Sequence, residues 1–384
     1  MPNPNILVLA TDPGSHISGI RLVIPLQRLA DRLGWALRLS PFHAVNRRDL
    51  RWADVVVIQR ATQSREERVM AWLNAQRIPV IYEIDDLLTE PADHVMGAAE
   101  LRKHAPLVGR MLGMADAVSA STPRLVDELR PLTRSIHLVP NYGPGEHLAR
   151  AQHDDHSPVT LLIAASDRQA VGPMVAGIRA IQADRSVSVE TVAIGPIADS
   201  LEEAGVPCRR FPGMPREAFF ATISALSNPI GLIPLDDSRF SACKSAVKFF
   251  DYACQGIPSI CSNHPPYADV IESGHDGMLC DSPHAWADAI RQLVLDAHAR
   301  QKLADAAFSK VTQQHSLAQT VASWEILITR LVDQGARNRR PITPSQRLAD
   351  AVTSWLEHVR GAMTGWNRRR LKNRHIRPTQ HLKP

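Results

Sequence analysis

Cysteine is scarce and unevenly distributed in this chain of 384 residues. The five cysteines all lie in the second half, and no two of them have the C-x-x-C spacing of a zinc or redox site. They are Cys208, Cys243, Cys254, Cys261 and Cys280. An odd number of cysteines at apolar positions predicts reduced thiols inside a core and a reducing compartment.

Long apolar runs are missing as well. No run reaches the roughly 18 residues that a membrane-spanning helix needs. The first ten residues, MPNPNILVLA, lack the basic segment and the long apolar segment of a signal peptide. We therefore expect a cytoplasmic protein that is at most peripheral to a membrane. The 16 histidines show no paired spacing typical of zinc ligands, and we expect no bound metal.

Apolar residues make up 44% of the chain, which at this length is enough for two α/β domains with separate cores and an extension. The total charge of +5 is divided unevenly. Residues 335–384 hold ten Arg and two Lys against one Asp and one Glu, a net charge of +10, so residues 1–334 carry −5. The basic character belongs to the extension and not to the folded body.

Strands and helices alternate through the first half of the chain. Apolar runs predict strands at Asn5–Ala10, 54–58 and 78–84, and apolar residues at helical spacing predict helices at 18–33 and 64–75. Continuous β-branched strands are typical of a parallel sheet that is covered on both faces.

A glycine-containing loop, TDPGSHISGIR, follows the first predicted strand. Gly14 and Gly19 would let backbone amides approach a ligand at the start of the next helix. The loop lacks the G-x-G-x-x-G spacing of a dinucleotide-binding fingerprint. An ordinary turn between strand and helix is therefore an equally good interpretation.

Two adjacent carboxylates, Asp85 and Asp86, follow the predicted strand at 78–84. Open parallel sheets bind ligands at the carboxyl ends of their strands. Carboxylates at such a position orient a hydroxyl group or act as a base. We predict that Asp85 and Asp86 are catalytic, and the alternative is that one of them caps a helix N-terminus.

The most informative stretch spans residues 240–281. Lys244 and Lys248 lie four residues apart on a predicted helix, and Asp251, three residues further, shares their face. The helix is predicted to end at Gly256, and the run IPSIC predicts a buried parallel strand. A charged helix face at the edge of a parallel sheet predicts an anion-binding site.

The same stretch carries a resemblance to a known family. KFFDYACQGIPSICS resembles the donor-sugar half of GT-B glycosyltransferases, in particular the family 4 type (glycosyl transferases group 1) with the pattern K-x-x-E/D-x-x-A-x-G-x-P. The strand, the S-T-P, the helix and the V-P-N before residue 142 resemble the end of the acceptor half of these enzymes. The positions in register are Gly256, Pro258, Glu272, Gly274 and Gly277.

The resemblance implies roles for individual residues. Asp251 stands where the family has a ribose-binding Glu, and Lys244 and Lys248 stand near the basic residues that hold the diphosphate. Arg168 is placed like a phosphate-contacting Arg, and the alternative is a solvated arginine in a loop. Glu272 belongs to the implied donor-binding set.

Two positions depart from the family pattern. Cys243 stands where many members carry a second Glu, eight residues before the first. Asp85 stands where many relatives carry a His near the reacting sugar.

The resemblance also implies an α/β fold of the GT-B type, with two Rossmann-like domains that face each other across a cleft. The acceptor domain would span residues 1–145 and the nucleotide-sugar domain residues 158–334, followed by a basic amphipathic helix in 335–384. The implied enzyme moves a hexose from a nucleotide-diphosphate sugar, with retention, to a cell-surface glycan or lipid-linked acceptor. The nucleotide sugar is then a co-substrate, and no cofactor is expected. The alternatives are a non-catalytic GT-B scaffold of a polysaccharide assembly complex and a GT-B nucleotide-sugar epimerase.

The C-terminal extension contains an apolar stripe. Thr343, Pro344 and Gln346 predict a helix start. The stripe comprises Leu348, Val352, Trp355, Leu356, Val359, Met363 and Trp366. The basic cluster NRRRLKNRHIR follows, so residues 343–377 predict binding to an anionic membrane surface, at the inner face of the cell membrane. The alternative is packing against the body or a second subunit. No base-stacking or reading motif accompanies the charges, and no nucleic acid partner is expected.

Overall fold

Two parallel sheets of six strands each organise the chain. The computed structural model describes residues 3–95, 97–145, 148–165, 171–184 and 186–338. Arg168 and the predicted membrane-binding stripe lie outside the described residues.

The first sheet has the strand order β2-β1-β3-β4-β5-β6, and its neighbouring strands are parallel. Its strands are β1 (Asn5–Ala10), β2 (Ala36–Pro41), β3 (Val55–Gln59), β4 (Val80–Ile84), β5 (Ala117–Ala120) and β6 (Ile136–Leu138). The predicted first strand is confirmed residue for residue, and β3 and β4 begin one or two residues later than predicted. The edge strand β2 was not predicted, because its six residues are exposed or half-buried and form no buried apolar run.

Helices connect these strands. Their bounds are α1 (His16–Ser18), α2 (Ile24–Leu33), α3 (Arg47–Trp52), α4 (Ser64–Gln76), α5 (Ala98–Met114) and α6 (Pro123–Leu129). A π-helical turn at Gly19–Val23 joins α1 to α2, and a 3-10 turn at Arg130–Leu132 follows α6.

The second sheet has the strand order β12-β11-β10-β7-β8-β9, again with parallel neighbours. Its strands are β7 (Val159–Ala164), β8 (Val189–Ile194), β9 (Arg209–Phe211), β10 (Pro229–Ile233), β11 (Ser259–Ser262) and β12 (Met278–Cys280). The remaining helices are α7 (Gly172–Ala183), α8 (Ile197–Glu203), α9 (Arg216–Ser224), α10 (Arg239–Ala242), α11 (Val247–Cys254), α12 (Pro283–Leu295), α13 (Ala297–Gln314) and α14 (Leu317–Asn338).

Strand β1 shows how each sheet is covered on both faces. Leu7 and Leu9 pack into one apolar cluster, while Ile6 and Val8 pack into another on the opposite face. This follows from the two-residue period of strand side chains.

The last helix, α14, returns to the first sheet. Its Trp324 is fully buried in the cluster around Ile6 and Val8, and the indole Nε1–H donates a hydrogen bond to the Arg21 carbonyl at 3.1 Å. The chain therefore crosses between the sheets twice, and the bounds predicted for the two domains stay a prediction. Within the described ranges, no helix has both the length and the apolar character that crossing a membrane requires.

Candidate active site

A cleft of about 250 Å³ lies where the carboxyl ends of strands from the two sheets meet. The first sheet contributes Asp85 and Asp86, directly after β4. The second contributes Lys244, Lys248 and Asp251. The structure therefore brings together two groups of residues that the sequence analysis predicted apart, the aspartate pair and the group of two lysines and one aspartate.

The two aspartates share one arginine. Arg60 Nη1 lies 2.7 Å from Asp85 Oδ1 and 3.0 Å from Asp86 Oδ2. Burial is the largest cause that raises the pKa of Asp85, to about 6, and Arg60 opposes the shift. The next helix begins at Ala98 with Gly97 as its N-cap, so neither aspartate caps it. Helix capping is thus excluded as the role of these carboxylates.

Arg60 was not predicted from the sequence. It follows β3 directly and has a φ of 46°, in the left-handed region that side chains other than glycine seldom occupy. Such strain persists where the surrounding structure holds the residue in place, and it is frequent at functional sites. A basic residue directly after a buried strand was the signal available.

The helix predicted to carry both lysines is interrupted. Helix α10 ends at Ala242 and α11 begins at Val247, so Lys244 lies between the two helices and not on one face with Lys248. Lys244 still lines the cleft, with its Nζ 5.0 Å from the ring centre of Phe240. Both lysines line one cleft, but the predicted shared helix face was wrong, and their role in donor binding stays a prediction.

Lys248 and Asp251 lie on α11, one turn apart. Lys248 Nζ stands 4.4 Å from the Phe219 ring centre, and desolvation lowers the pKa of Lys248 although Asp251 opposes the shift. Asp251 is 1% exposed and forms an ion pair with Arg216, Nη2 to Oδ1, at 3.2 Å. Arg216, at the start of α9, was also missed from the sequence.

His16 reaches the same cleft from the first domain. Partial desolvation is the largest cause that lowers the pKa of His16, with Asp251 opposing the shift and Arg216 and Lys248 adding to it. His16 therefore shares the cleft with Lys248 and Asp251 of the second domain. Only the glycines of its loop were singled out in the sequence.

The glycines of that loop fit one of the two interpretations given for them, the ordinary turn. The helical segment begins at His16, and the Gly19 N–H donates to the Ser15 carbonyl at 2.9 Å. The Gly14 N–H donates to Asp12 Oδ1 at 3.0 Å. Both amides are thus engaged within the loop, as the ordinary-turn interpretation predicts.

Glu272 is not part of the cleft lining. Its side chain is 73% exposed, in the loop before β12, and its N–H donates to Asp276 Oδ1 at 2.9 Å. Single ligand atoms of Glu272, His275 and Asp276 lie within 4.8 Å of one another, as in metal sites. Lys310 Nζ forms an ion pair with the buried Asp276 carboxylate, so the Lys310 ammonium group already supplies a cation at this position.

A buried ion pair forms the floor of the cleft on the side of the first domain. Arg21 Nε lies 2.7 Å from Glu83 Oε1, and both side chains are at most 1% exposed. Arg21 Nη1 also donates to the Val139 carbonyl at 2.6 Å and to Asn141 Oδ1 at 2.8 Å. Asn141 in turn donates to Ser245 Oγ of the second domain at 2.6 Å.

The segment around α10 closes one side of the cleft. Phe240 and Cys243 belong to the second half of the chain but are buried in an apolar cluster of the first domain. Thr122 Oγ1 donates to the Cys243 carbonyl at 2.8 Å, and His94 Nδ1 lies 2.8 Å from Asp236 Oδ2. Cys243 is 1% exposed, and a carboxylate at this position would lose its solvation.

A larger hollow of about 830 Å³, called here the hinge cavity, lies between the linker, α9 and the junction of α13 with α14. Its lining includes Arg28, Tyr142, Arg216 and His315. Despite its size it contains none of Asp85, Asp86, Lys244, Lys248 or Asp251. We assign the candidate active site to the smaller cleft, because charged groups from both domains converge there.

Solved structures share this architecture. The chain superposes with a TM-score of 0.64 and 13% identity on sucrose-phosphate synthase from Thermosynechococcus elongatus, covering 86% of this chain and 100% of that one. The superposition on Anabaena HepE in complex with UDP and glucose has a TM-score of 0.61 and 12% identity, covering 85% of this chain and 100% of that one. The superposition on α,α-trehalose 6-phosphate synthase from Burkholderia multivorans has a TM-score of 0.56 and 10% identity, covering 87% of this chain and 99% of that one. The fold is that of the GT-B glycosyltransferases.

Residues 248–310 match the family model described as glycosyl transferases group 1. The matched segment begins at Lys248 and includes Asp251, so it contains part of the cleft wall. We find no match among curated protein sequences. Together, the fold and the matched segment support a glycosyltransferase of the GT-B type, and the family 4 type stays a prediction.

Proposed function

We propose that this protein moves a sugar from a nucleotide-diphosphate sugar to a hydroxyl of a cell-surface glycan or lipid-linked acceptor, with retention. The observation that carries the proposal is the convergence of two carboxylates from one domain with two lysines and a carboxylate from the other. In this proposal the lysines bind an anionic donor opposite carboxylates that act on a hydroxyl.

In this proposal the second domain binds the donor. Lys244 and Lys248 stabilise the negative charge that develops on the leaving diphosphate, as preorganised cations do in water-poor sites. Asp251 accepts hydrogen bonds from the ribose hydroxyls. The nucleotide sugar is a co-substrate, and no resident cofactor takes part.

The first domain presents the acceptor. A carboxyl whose pKa is about 6 is largely ionised at neutral pH and still able to accept a proton, which suits Asp85 to orient or deprotonate an acceptor hydroxyl. Arg60 fixes the position of both aspartates through its two contacts. Contacts between the domains exclude water that would hydrolyse the donor.

Nucleotide binding tests the donor site. Lys248→Ala is expected to weaken binding of a nucleoside diphosphate by about 1.5–3 kcal/mol, because it removes a charge-assisted hydrogen bond to phosphate. Thermal shift and calorimetry with UDP, GDP, CDP and dTDP measure the change. Lys302→Ala, which removes an exposed lysine on α13, is the matched control and should bind like the wild type. Equal affinity of Lys248→Ala and wild type would refute the assignment.

The extension gives a separate prediction about the acceptor. A lipid-linked acceptor lies at a membrane, so we expect residues 343–377 to bring the cleft to it. The full chain should co-sediment with vesicles containing anionic lipid at low salt, and a chain ending at Asn338 should remain in the supernatant. Equal behaviour of the two chains would favour packing of the extension against protein.

A further inference from the structure

The hinge cavity has the size of a small-molecule site, and both halves of the structure contribute to its lining. Its volume of about 830 Å³ lies within the roughly 300–1,000 Å³ of ligand pockets. Helix α2 of the first half contributes Ile24 and Arg28, and α9 of the second half contributes Arg216 and Phe220. A molecule in this cavity would therefore contact residues on both sides of the linker.

Three side chains of the lining keep an unused hydrogen-bonding atom. The Tyr142 hydroxyl, Gln255 Oε1 and Arg216 Nη1 are buried and have no hydrogen-bond partner among the described residues. Tyr142 is 3% exposed and Gln255 is 2% exposed. Buried polar atoms without partners are costly, and native proteins satisfy nearly all of them. The three atoms comprise an acceptor, a donor and a hydroxyl that can serve as either.

The charges of the lining do not favour an ion. Arg216 already pairs with Asp251, with Nη2 3.2 Å from Oδ1. Arg28 and Glu217 are both exposed and have opposite signs. Desolvation by burial lowers the pKa of His315, so its ring is neutral at pH 7. A ligand with a net charge therefore gains little attraction in this cavity.

A ring that carries several hydroxyls matches this lining. Hydroxyls both donate and accept, so they can bond to Gln255 Oε1 and to Arg216 Nη1 at the same time. The C–H faces of such a ring can pack against the apolar surface that Leu148, Phe220 and Leu317 provide.

We propose that the hinge cavity is a second ligand site and binds an uncharged sugar of one or two rings. The site is separate from the candidate active site, because the two linings share none of the charged residues assigned to the cleft. The inference does not depend on the proposed function, since it concerns the binding of a free sugar and not its transfer.

The test measures binding of glucose, galactose, mannose, N-acetylglucosamine, sucrose and trehalose to the full chain by calorimetry. We expect at least one of them to bind the wild type with a Kd below about 1 mM. Tyr142→Phe keeps the ring and removes only the unpartnered hydroxyl. It should weaken binding of that sugar about fivefold or more, the usual effect of losing one hydrogen bond, while the Tm measured without sugar does not fall.

A second variant blocks the cavity without changing a buried residue. Ala221 is exposed on α9 and lines the cavity, so Ala221→Trp is expected to weaken sugar binding at least about tenfold. Ala218→Trp is the matched control, because Ala218 is exposed on the same helix but is not part of the lining, and it should bind like the wild type.

Lys248→Ala distinguishes the hinge cavity from the cleft, since it should leave the affinity for the sugar unchanged. A sugar whose binding is lost in Lys248→Ala occupies the cleft and would overturn the inference. Absence of binding for all six sugars, unchanged affinity in Tyr142→Phe or in Ala221→Trp, or an equal loss in Ala218→Trp would overturn it as well. None of these results bears on nucleotide binding, which is measured separately.

Discussion

Asparagine at position 85 is expected to lower kcat by about 10²-fold or more, while donor affinity stays within about threefold of the wild type. The amide keeps the size of the side chain and a hydrogen bond to Arg60, but it cannot take a proton from an acceptor hydroxyl. Donor binding depends on the opposite wall of the cleft and should not change. Steady-state kinetics and calorimetry on the same variant measure the two effects separately.

The pH profile gives an independent measure of the same residue. Burial raises the pKa of Asp85 to about 6, so the carboxyl holds its proton below that pH and accepts one above it. We expect kcat/KM of the wild type to fall as the pH is lowered through about 6, and the Asn variant to lack this limb. Asp127→Asn, an exposed site on α6, is the matched control.

Full activity of a double variant, Asp85→Asn with Asp86→Asn, would show that neither carboxylate takes part in turnover.

Assays that detect both transfer and a change of the donor sugar also separate the transferase from an epimerase. A scaffold would show neither activity.

Replacing Arg21 by methionine is expected to lower the free energy of unfolding by about 3–5 kcal/mol, the range found when one partner of a buried ion pair is removed. The change leaves the Glu83 carboxylate buried with no cation at 2.7 Å, and it also removes hydrogen bonds to the Val139 carbonyl and Asn141. Chemical denaturation followed by circular dichroism measures the loss.

The matched control is Arg32→Met, because Arg32 pairs with Glu325 across an exposed surface, with side chains 50% and 37% exposed. Exposed ion pairs contribute only about 0–1 kcal/mol. The double variant Arg21→Met with Glu83→Leu should regain part of the loss, since no charge is left buried. A single Arg21 variant as stable as Arg32→Met would contradict the prediction.

The central strands could be predicted because their runs of consecutive apolar residues indicate burial on both faces. The run VVVI in β3 is apolar at consecutive positions, and VIYEI in β4 is apolar except for Glu83, a pattern typical of a strand covered on both faces. The edge strand β2 has no such run, and its formation depends on pairing with β1 across a connection of about 25 residues. Pairing between distant segments leaves no local pattern.

Each wall of the candidate site could be predicted in part from its own local sequence, but the two walls could not be connected. Asp85 and Lys248 could be identified because each follows a local rule, a strand end or a helix position. Arg60 and Arg216 could not, since their importance comes from partners 25 and 35 residues away. The break between α10 and α11 was missed for a similar reason, because Phe240 and Cys243 bury their side chains in the other domain. A helical pattern within one segment carries no information about a surface supplied by another.

Because Phe240 is buried in the first domain, separating the two domains has a free-energy cost. Separating the domains along α10 withdraws this ring from its apolar surroundings, and re-exposing a phenylalanine to water costs about 1.5–3 kcal/mol. Taken alone, such a cost corresponds to an open population on the order of 0.6–8%. Bulky substrates that need the open form then bind with an apparent affinity reduced by that fraction. Phe240 shares this effect with the other contacts between the domains, such as the hydrogen bonds from Thr122 to the Cys243 carbonyl and from Asn141 to Ser245, so each of them links binding strength to access to the chemistry.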